Sequence, residues 1–125
     1  MPKYLVQASY TAEGLKGLQN DKASGRKEAA TKAIEGLDGK LEAMYFAFGA
    51  DDVVVIFDLP DNVAAARLAF AVGASGLIHT RTTPLLTVEE VDQALGAPDI
   101  GFRAPGRDLD SREDPHSRAY AEMMA

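Results

Sequence analysis

The sequence predicts an α+β fold in which two main helices cover one face of a four-stranded antiparallel sheet. The predicted elements follow in the order strand, helix, strand, strand, helix, strand, with a small helix after them. The segment GADDVVVIFDLP contains a strand that is apolar on both faces, which is typical of the centre of a sheet. The last strand contains Pro84, which lacks a backbone N–H and is tolerated at a sheet edge.

The first strand and the first helix occupy residues 3–37. KYLVQASY, residues 3–10, has the alternation of a strand. Residues 11–37 predict a helix whose first half is weakened by glycines and which becomes firm from about Ser24. Gly39 marks the end of this helix. Its inward stripe is predicted to consist of Ala30, Ala33, Ile34 and Leu37.

The next two strands are predicted to form a hairpin. Residues 41–48 make the second strand, residues 49–52 the turn, and residues 53–59 the third strand. A hairpin loop with an even number of residues predicts that Phe48 faces Val53. The next pairs on the same face are then Phe46 with Val55 and Met44 with Phe57. This face is uniformly large and apolar, so we assign it to the helices.

The remaining elements follow the hairpin directly. Asp61 is expected to cap an alanine-rich helix that runs to about Ala74. Residues 76–86 make the fourth strand. TVEE, residues 87–90, has the spacing of a capping box and begins a short helix that ends at Gly96.

This βαββαβ order predicts a ferredoxin-like arrangement in which the first and third strands are central and the second and fourth are edges. Residues 1–96 form the predicted domain. Residues 97–125 mix proline, glycine and charge, and two interpretations stay open. The segment is either a disordered tail or an arm that docks on a partner subunit through Ile100, Phe102, Leu109 and Tyr120.

Composition excludes several classes of function. The formal net charge of −6 argues against nucleic-acid and anionic-membrane partners, which need a concentrated basic surface. The chain has no cysteine, which excludes disulfides, thiol nucleophiles and iron–sulfur ligation. No apolar run is long enough for a membrane span, and the N-terminus does not have the pattern of a signal peptide. We therefore expect a cytoplasmic protein without a cofactor.

One sheet face is left without a helix, and this predicts self-association. A second copy laid sheet to sheet would bury its apolar residues, so we expect a homodimer, with further association left open. The polar residues on that face would then lie in or beside a cavity between the sheets. The second and third strands are expected to contribute Leu41, Ala43, Tyr45, Ala47, Asp52, Val54, Ile56 and Asp58. The first and fourth are expected to contribute Leu5, Gln7, Ser9, Leu77, His79, Arg81 and Thr83.

Four segments together resemble the GYD domain family of small bacterial proteins. They are MPKYLVQASYTAEGL, EGLDGKLEAMYFAFG, GADDVVVIFDLP and GLIHTRTTPLLTVEE, within about residues 2–95. The resemblance implies a fold similar to the dimeric α/β-barrel superfamily and brings no catalytic residues with it. The family pattern places a tyrosine and an aspartate just after a glycine at the hairpin. Gly49 and Asp52 match, whereas Asp51 stands at the aromatic position.

The polar residues of the uncovered face are the candidate site. We predict a ligand-binding group of Gln7, Ser9, Tyr45, His79 and Arg81. His79 is the candidate general base because its unperturbed pKa lies near neutrality. Arg81, two residues along on the same face, would hold an anionic group, and Tyr45 would donate a hydrogen bond.

Each of these residues also has a structural interpretation. For both residues the structural interpretation is preferred. His79 is then a half-buried strand residue satisfied by a carboxylate such as Asp58 or by a partner chain, and Arg81 is one half of an interface ion pair. Asp51 and Asp52 point to opposite faces as strand neighbours, so a turn role is preferred to a shared proton. His79 has no second histidine at ligand spacing, so we expect no metal site.

Three functions follow as hypotheses. The first is a dimeric domain that binds a small apolar or anionic molecule between its sheets or serves as an assembly module. The second is a cofactor-independent enzyme of the monooxygenase, isomerase or cyclase type that uses His79; its reaction types are an analogy with related barrels. The third is an interaction protein that recruits another chain through its tail or a sheet edge.

Overall fold

The structure is a computed structural model that describes residues 1–106. The strands are β1 (Lys3–Tyr10), β2 (Lys40–Phe46), β3 (Val53–Asp58) and β4 (Ile78–Leu85). The helices are α1 (Ala12–Gly36), α2 (Asn62–Ala74) and α3 (Val88–Gly96). All seven predicted elements are present in the predicted order, and every boundary lies within two residues of the prediction.

The four strands form one antiparallel sheet in the order β2-β3-β1-β4. The α+β, ferredoxin-like prediction is confirmed, with β1 and β3 central and Pro84 on the edge strand β4. The core lies between the sheet and the helices α1 and α2, where Tyr4, Ile34, Phe57 and Leu59 are almost completely buried. The rings of Tyr4 and Phe57 stack at 6.0 Å between centroids. The Tyr4 hydroxyl donates a 2.7 Å hydrogen bond to Asn62 Oδ1 at the start of α2.

The hairpin register differs from the prediction by two residues. Phe46, and not Phe48, faces Val53, because the loop spans residues 47–52 and is closed by a 2.7 Å hydrogen bond from the Ala47 N–H to the Asp52 carbonyl. The predicted place of Phe48 against the helices is therefore wrong, and its side chain is fully exposed. A slip of two preserves side-chain parity, so Phe46 keeps the face that was predicted for it.

Leu41 lies on the opposite face from the one predicted. The β2–β3 ladder shifts register between Leu41 and Ala43, so Leu41 is paired with Phe57 and packs against the core. A bulge of this kind adds one residue to one strand and reverses the side-chain alternation beyond it. Leu77 also departs from the prediction, because it precedes β4 and lines a pocket with Tyr10 and Leu18 on the helix side.

Helix α1 is broken in its middle, as the glycines predicted. Thr11 caps it, with its hydroxyl accepting the Gly14 N–H at 3.2 Å. The break is at Lys22, with φ 67° and ψ 168°, in a region of backbone space that almost only glycine adopts. At the C-terminus Asp38 is left-handed, with φ 62°, and the Gly39 N–H reaches back to the Ile34 carbonyl at 2.9 Å.

Two glycines are required by close backbone approach. A Cβ atom at Gly14 would collide with the carbonyl oxygen of Leu77. A Cβ atom at Gly39 would collide with the carbonyl oxygen of Asp58. Gly39 was predicted to end α1. Because it lacks a Cβ atom, it also allows the chain between α1 and β2 to pass close to the end of β3.

The chain divides into two compact units, the first being Met1–Thr87. The second begins at Val88 and includes α3, whose apolar residues Val88, Val91 and Leu95 are exposed. Among residues 1–106, no helix is long and apolar enough to cross a bilayer. Of the segment 97–125, the structure describes residues 97–106, and the predicted docking residues Ile100 and Phe102 within them are exposed. The predicted docking residues Leu109 and Tyr120 lie outside the described residues.

Candidate functional site

The sheet face turned away from α1 and α2 is called the open face here. Its middle is apolar, with half-buried Leu5, Val54 and Ile56 on the two central strands. Leu5 is paired directly with Ile56 in the β1–β3 ladder. These side chains screen one another from water in part, so the face is less exposed than the sequence alone indicated.

The β4 end of the open face carries a group of polar side chains, which we call the polar corner: Gln7, Ser9, Asp51, His79 and Arg81. The β1–β4 register pairs Gln7 with Arg81 and Ser9 with His79. Directly opposite residues of an antiparallel pair have Cβ atoms about 5 Å apart, so these four side chains are immediate neighbours. The structure therefore brings together four of the five predicted site residues.

Asp51 completes the polar corner, although the sequence predicted only a turn role for it. Its Oδ2 lies 2.7 Å from Arg81 Nη2, and its Oδ1 lies 3.5 Å from Ser9 Oγ. Ser9 also donates a 3.2 Å hydrogen bond to the Ala50 carbonyl. The neighbouring carboxylate of Asp52 accepts the Tyr10 N–H at 2.8 Å. The two aspartates thus have different partners, in agreement with the prediction that they do not share a proton.

Tyr45, the fifth predicted site residue, lies away from the polar corner. It is paired with Val54, Val54 is paired with Gln7, and Gln7 is paired with Arg81. Three strand spacings of about 4.8 Å separate Tyr45 from Arg81, or about 14 Å. Tyr45 and His79 therefore occupy opposite edges of the sheet, and a small molecule in the polar corner of one protomer does not reach the Tyr45 of that protomer.

His79 is exposed on the open face of β4. Its imidazole has no hydrogen-bond partner within residues 1–106. Asp58, the carboxylate considered as its partner from sequence, is at the far end of the sheet and receives a 2.9 Å hydrogen bond from Lys3 Nζ. Asp58 is therefore excluded as the partner of His79, because it pairs with Lys3 across the β1–β3 ladder and not with β4. A partner chain as the group that satisfies His79 stays a prediction.

Lys3 forms a second charged group at the other end of the open face. Its Nζ lies 2.9 Å from both Asp58 Oδ1 and Glu42 Oε2. The hydrogen bond to Asp58 raises the pKa of Lys3 above its ordinary value of 10.5, and the hydrogen bond to Glu42 adds to the effect. The open face therefore has an apolar middle between two ends whose opposite charges are already paired.

Sequence reasoning missed a cavity on the opposite side of the sheet. It has a volume of about 140 Å³ and lies between α1, α2 and the sheet, lined mostly by alanine and valine side chains. Arg26 and Tyr10 are among the polar residues that line it. The signal that could have found it is the number of alanines on the two helices, since small side chains leave space unfilled between a helix and a sheet.

Within residues 1–106 no group of three or more histidine, cysteine, aspartate or glutamate residues could hold a metal ion. The acidic side chains at the two ends of the open face lie close to cations instead: Asp51 faces Arg81, and Asp58 and Glu42 face Lys3.

The ferredoxin-like sheet with one face left uncovered defines a small α+β domain. A family model described as GYD domain matches residues 4–95, and the chain belongs to this family. Searches of curated proteins and of solved structures gave no match.

Proposed function

We propose that this protein is a homodimeric assembly and binding module that associates through its open face. The observation that carries the proposal is the apolar band of Leu5, Val54 and Ile56, which neither α1 nor α2 covers. A contiguous apolar patch on a sheet is more stable when a second surface buries it. A second copy of the same face is the most economical partner, because a two-fold axis matches apolar to apolar with one set of residues.

The charges at the ends of the open face support burial against a second copy. Arg81 is paired with Asp51, and Lys3 with Asp58 and Glu42, within one protomer. Ion pairs made in advance reduce the desolvation penalty that unpaired charges would impose on an interface. The edges of the face then act as a polar rim around an apolar centre, which is the common anatomy of a protein interface.

The proposal is tested by mass measurement in solution on the wild type and on charged variants. Light scattering and native mass spectrometry at micromolar concentration should give the mass of two copies for the wild type. Ile56→Lys places an ammonium group in the apolar band and should give a monomer. Tyr45→Glu, at a side chain that is 70% exposed and therefore poses little risk to folding, should also weaken the dimer.

The matched control is Val63→Lys on α2, where an equally apolar side chain is 68% exposed on the helix side. It introduces the same ammonium group on α2, outside the proposed interface, and should leave the dimer mass unchanged. A wild-type monomer at micromolar concentration contradicts the proposal. So does an Ile56→Lys variant that stays folded by circular dichroism and remains a dimer.

The polar corner gives such a dimer a place for a small anionic or polar ligand. The exposed guanidinium of Arg81, with the imidazole of His79 as a second hydrogen-bonding group, would attract an anion, although Asp51 already compensates Arg81 in the unliganded protein. Native mass spectrometry of freshly purified protein is the direct test, because it reports subunit number and any co-purifying small molecule together. Arg81→Gln should reduce the fraction of protein that carries such a molecule.

A cofactor-independent enzyme that uses His79 as general base is the second candidate. The observation that favours it is the cross-strand pairing of His79 with Ser9, which puts an exposed imidazole beside a hydroxyl and within one residue pair of Arg81. Conversion of the co-purifying molecule by the wild type and by His79→Ala tests this candidate. Equal turnover by the two proteins removes His79 as the base.

A further inference from the structure

We propose that the cavity between α1, α2 and the sheet is a binding site for a small carboxylic acid whose apolar body is the size of a single ring, with Arg26 holding the carboxylate. This site is on the opposite side of the sheet from the open face, and it does not depend on dimerisation. Its occupant is defined by three properties of the cavity: its volume, its apolar lining and, at its margin, a guanidinium whose nearest carboxylate is beyond hydrogen-bond distance.

The volume of the cavity sets the size of the ligand. Protein interiors are packed closely, and a void much larger than a water molecule is uncommon in a small core. An apolar cavity of about 150 Å³ engineered in another protein stays dry and binds benzene, and the cavity here measures about 140 Å³. A single aromatic or cyclohexyl ring therefore fits. Ala29 and Ala33 of the lining are exposed, so the space is open to solvent on the α1 side.

Small side chains on both helices create the space. α1 contributes Ala29, Ala30 and Ala33, and α2 contributes Ala65 and Ala69. The sheet supplies the floor with apolar residues such as Val6 and Val55. An apolar lining of this kind favours a hydrocarbon body over a sugar or a nucleotide, because the hydroxyl groups of those ligands would be left without hydrogen-bond partners.

Arg26 supplies the charge preference. Within residues 1–106 its only ionic partner is Asp21, with 3.7 Å between Nη1 and Oδ2, which is beyond hydrogen-bond distance. The guanidinium therefore retains its donors while it lines the cavity. A planar carboxylate is the group that an arginine fork binds in bidentate geometry.

Tyr10 is a second polar residue of the cavity lining. Its phenolic hydroxyl makes no hydrogen bond within residues 1–106. An adjoining pocket of about 260 Å³ shares Tyr10, Arg26, Val72 and Ile78 with the cavity. This pocket lies beside the break in α1, and Arg26 lines both spaces. In the proposed complex the ring lies in the cavity and the carboxylate lies at Arg26.

Two-dimensional NMR titration of the full chain with benzoate tests the proposal, with toluene as the uncharged probe and acetate as the probe without a ring. Benzoate should shift the amide signals of α1, α2 and the inward side of the sheet. Arg26→Gln should weaken benzoate binding by about tenfold to a hundredfold, since hydrogen bonds to a charged group are the strong ones, and it should leave toluene binding unchanged. Acetate should bind much more weakly than benzoate.

Filling the cavity provides the second variant. Ala69→Leu puts three additional carbon atoms into the space and should abolish binding of benzoate and toluene alike. Ala71→Leu makes the same change at an exposed position of α2 that does not line the cavity. It is the matched control and should bind both probes as the wild type does.

The proposal is overturned if benzoate at millimolar concentration produces no shifts, or if its shifts map to the open face. Equal benzoate affinity of Arg26→Gln and the wild type removes the role of Arg26. An Ala69→Leu variant that folds and still binds benzoate removes the cavity as the site. Each of these results can occur whether or not the protein is a dimer, so failure here is distinguishable from failure of the proposed assembly.

Discussion

The guanidinium of Arg81 donates a hydrogen bond to the carboxylate of Asp51, with 2.7 Å between Nη2 and Oδ2. This contact joins the β2–β3 hairpin loop to β4 across the end of β1, over a sequence separation of thirty residues. Asp51 occupies the position where the family pattern leads one to expect an aromatic residue, so here an ion pair holds this corner. Arg81 is 67% exposed and Asp51 19% exposed at their side chains.

The exposure of Arg81 limits what the ion pair contributes to stability. A double-mutant cycle with Arg81→Gln and Asp51→Asn should give a coupling free energy of about 0.2 to 1 kcal/mol, because water and salt screen an exposed pair. Urea unfolding at low and high salt measures it, and the coupling should shrink as ionic strength rises. A coupling well above that range, or one insensitive to salt, would mean that the pair is shielded from solvent in the assembled protein.

Lys22 should be replaceable by glycine with a gain in stability. Its φ of 67° and ψ of 168° are strained for a residue with a Cβ atom. Lys22→Gly should therefore raise the free energy of unfolding by about 1 to 2 kcal/mol. The control is Ala23→Gly at the next, helical position, which should lower it by about 1 kcal/mol. If both substitutions destabilise equally in urea unfolding, the break in α1 is not at Lys22.

Two glycines of the same helix should respond in opposite ways to alanine. Gly14→Ala forces a methyl group against the Leu77 carbonyl oxygen, and should lower the free energy of unfolding by about 1 to 3 kcal/mol. Gly17→Ala meets no atom within 4 Å and should raise it by about 0.5 to 1 kcal/mol through helix propensity. Thermal and urea unfolding check both. Equal effects would indicate that α1 does not pass close to Leu77.

Stability should fall in alkaline solution because of Tyr4. Burial raises the pKa of Tyr4 above its ordinary value of 10.0, and the negative charge of Asp61 adds to the effect. A group whose pKa is higher in the folded state favours folding fully below its unfolded pKa, and this contribution is lost as pH rises through the folded pKa. Urea unfolding at a series of pH values from about 8 upward should therefore show a decline that begins near pH 10.

Lys3 acts in the same direction, because its pKa is also raised above an ordinary value of 10.5. Tyr4→Phe separates the two groups. The substitution should make the alkaline decline in the free energy of unfolding shallower and leave only the part due to Lys3. At neutral pH it should lower the free energy of unfolding by about 1 kcal/mol, because the hydrogen bond to Asn62 is lost. An alkaline decline that is identical in Tyr4→Phe and the wild type would show that Tyr4 is not the buried tyrosine.

The sequence by itself determined the order of the elements, the central position of β3 and, apart from Leu41 and Leu77, the division of side chains between the two sheet faces. These depend on local periodicity, which each segment carries within a few residues. Val53, Val55 and Phe57 alternate with Val54 and Ile56 whatever the rest of the chain does. For the same reason the polar corner was predictable in part, since His79 and Arg81 share a face by parity and the strand order puts Gln7 and Ser9 beside them.

Only the tertiary structure decided the hairpin register and the bulge that turns Leu41 inward. It also decided which polar side chains meet, since it separates Tyr45 from His79 and pairs Asp51 with Arg81. The cavity beside Arg26 is a third feature of this kind. Each depends on contacts between residues far apart in sequence. A hairpin slip of two keeps every face unchanged, so periodicity cannot detect it. A cavity is the difference between the volume that two helices and a sheet enclose and the volume that their side chains fill, and that difference exists only when all of them are packed together.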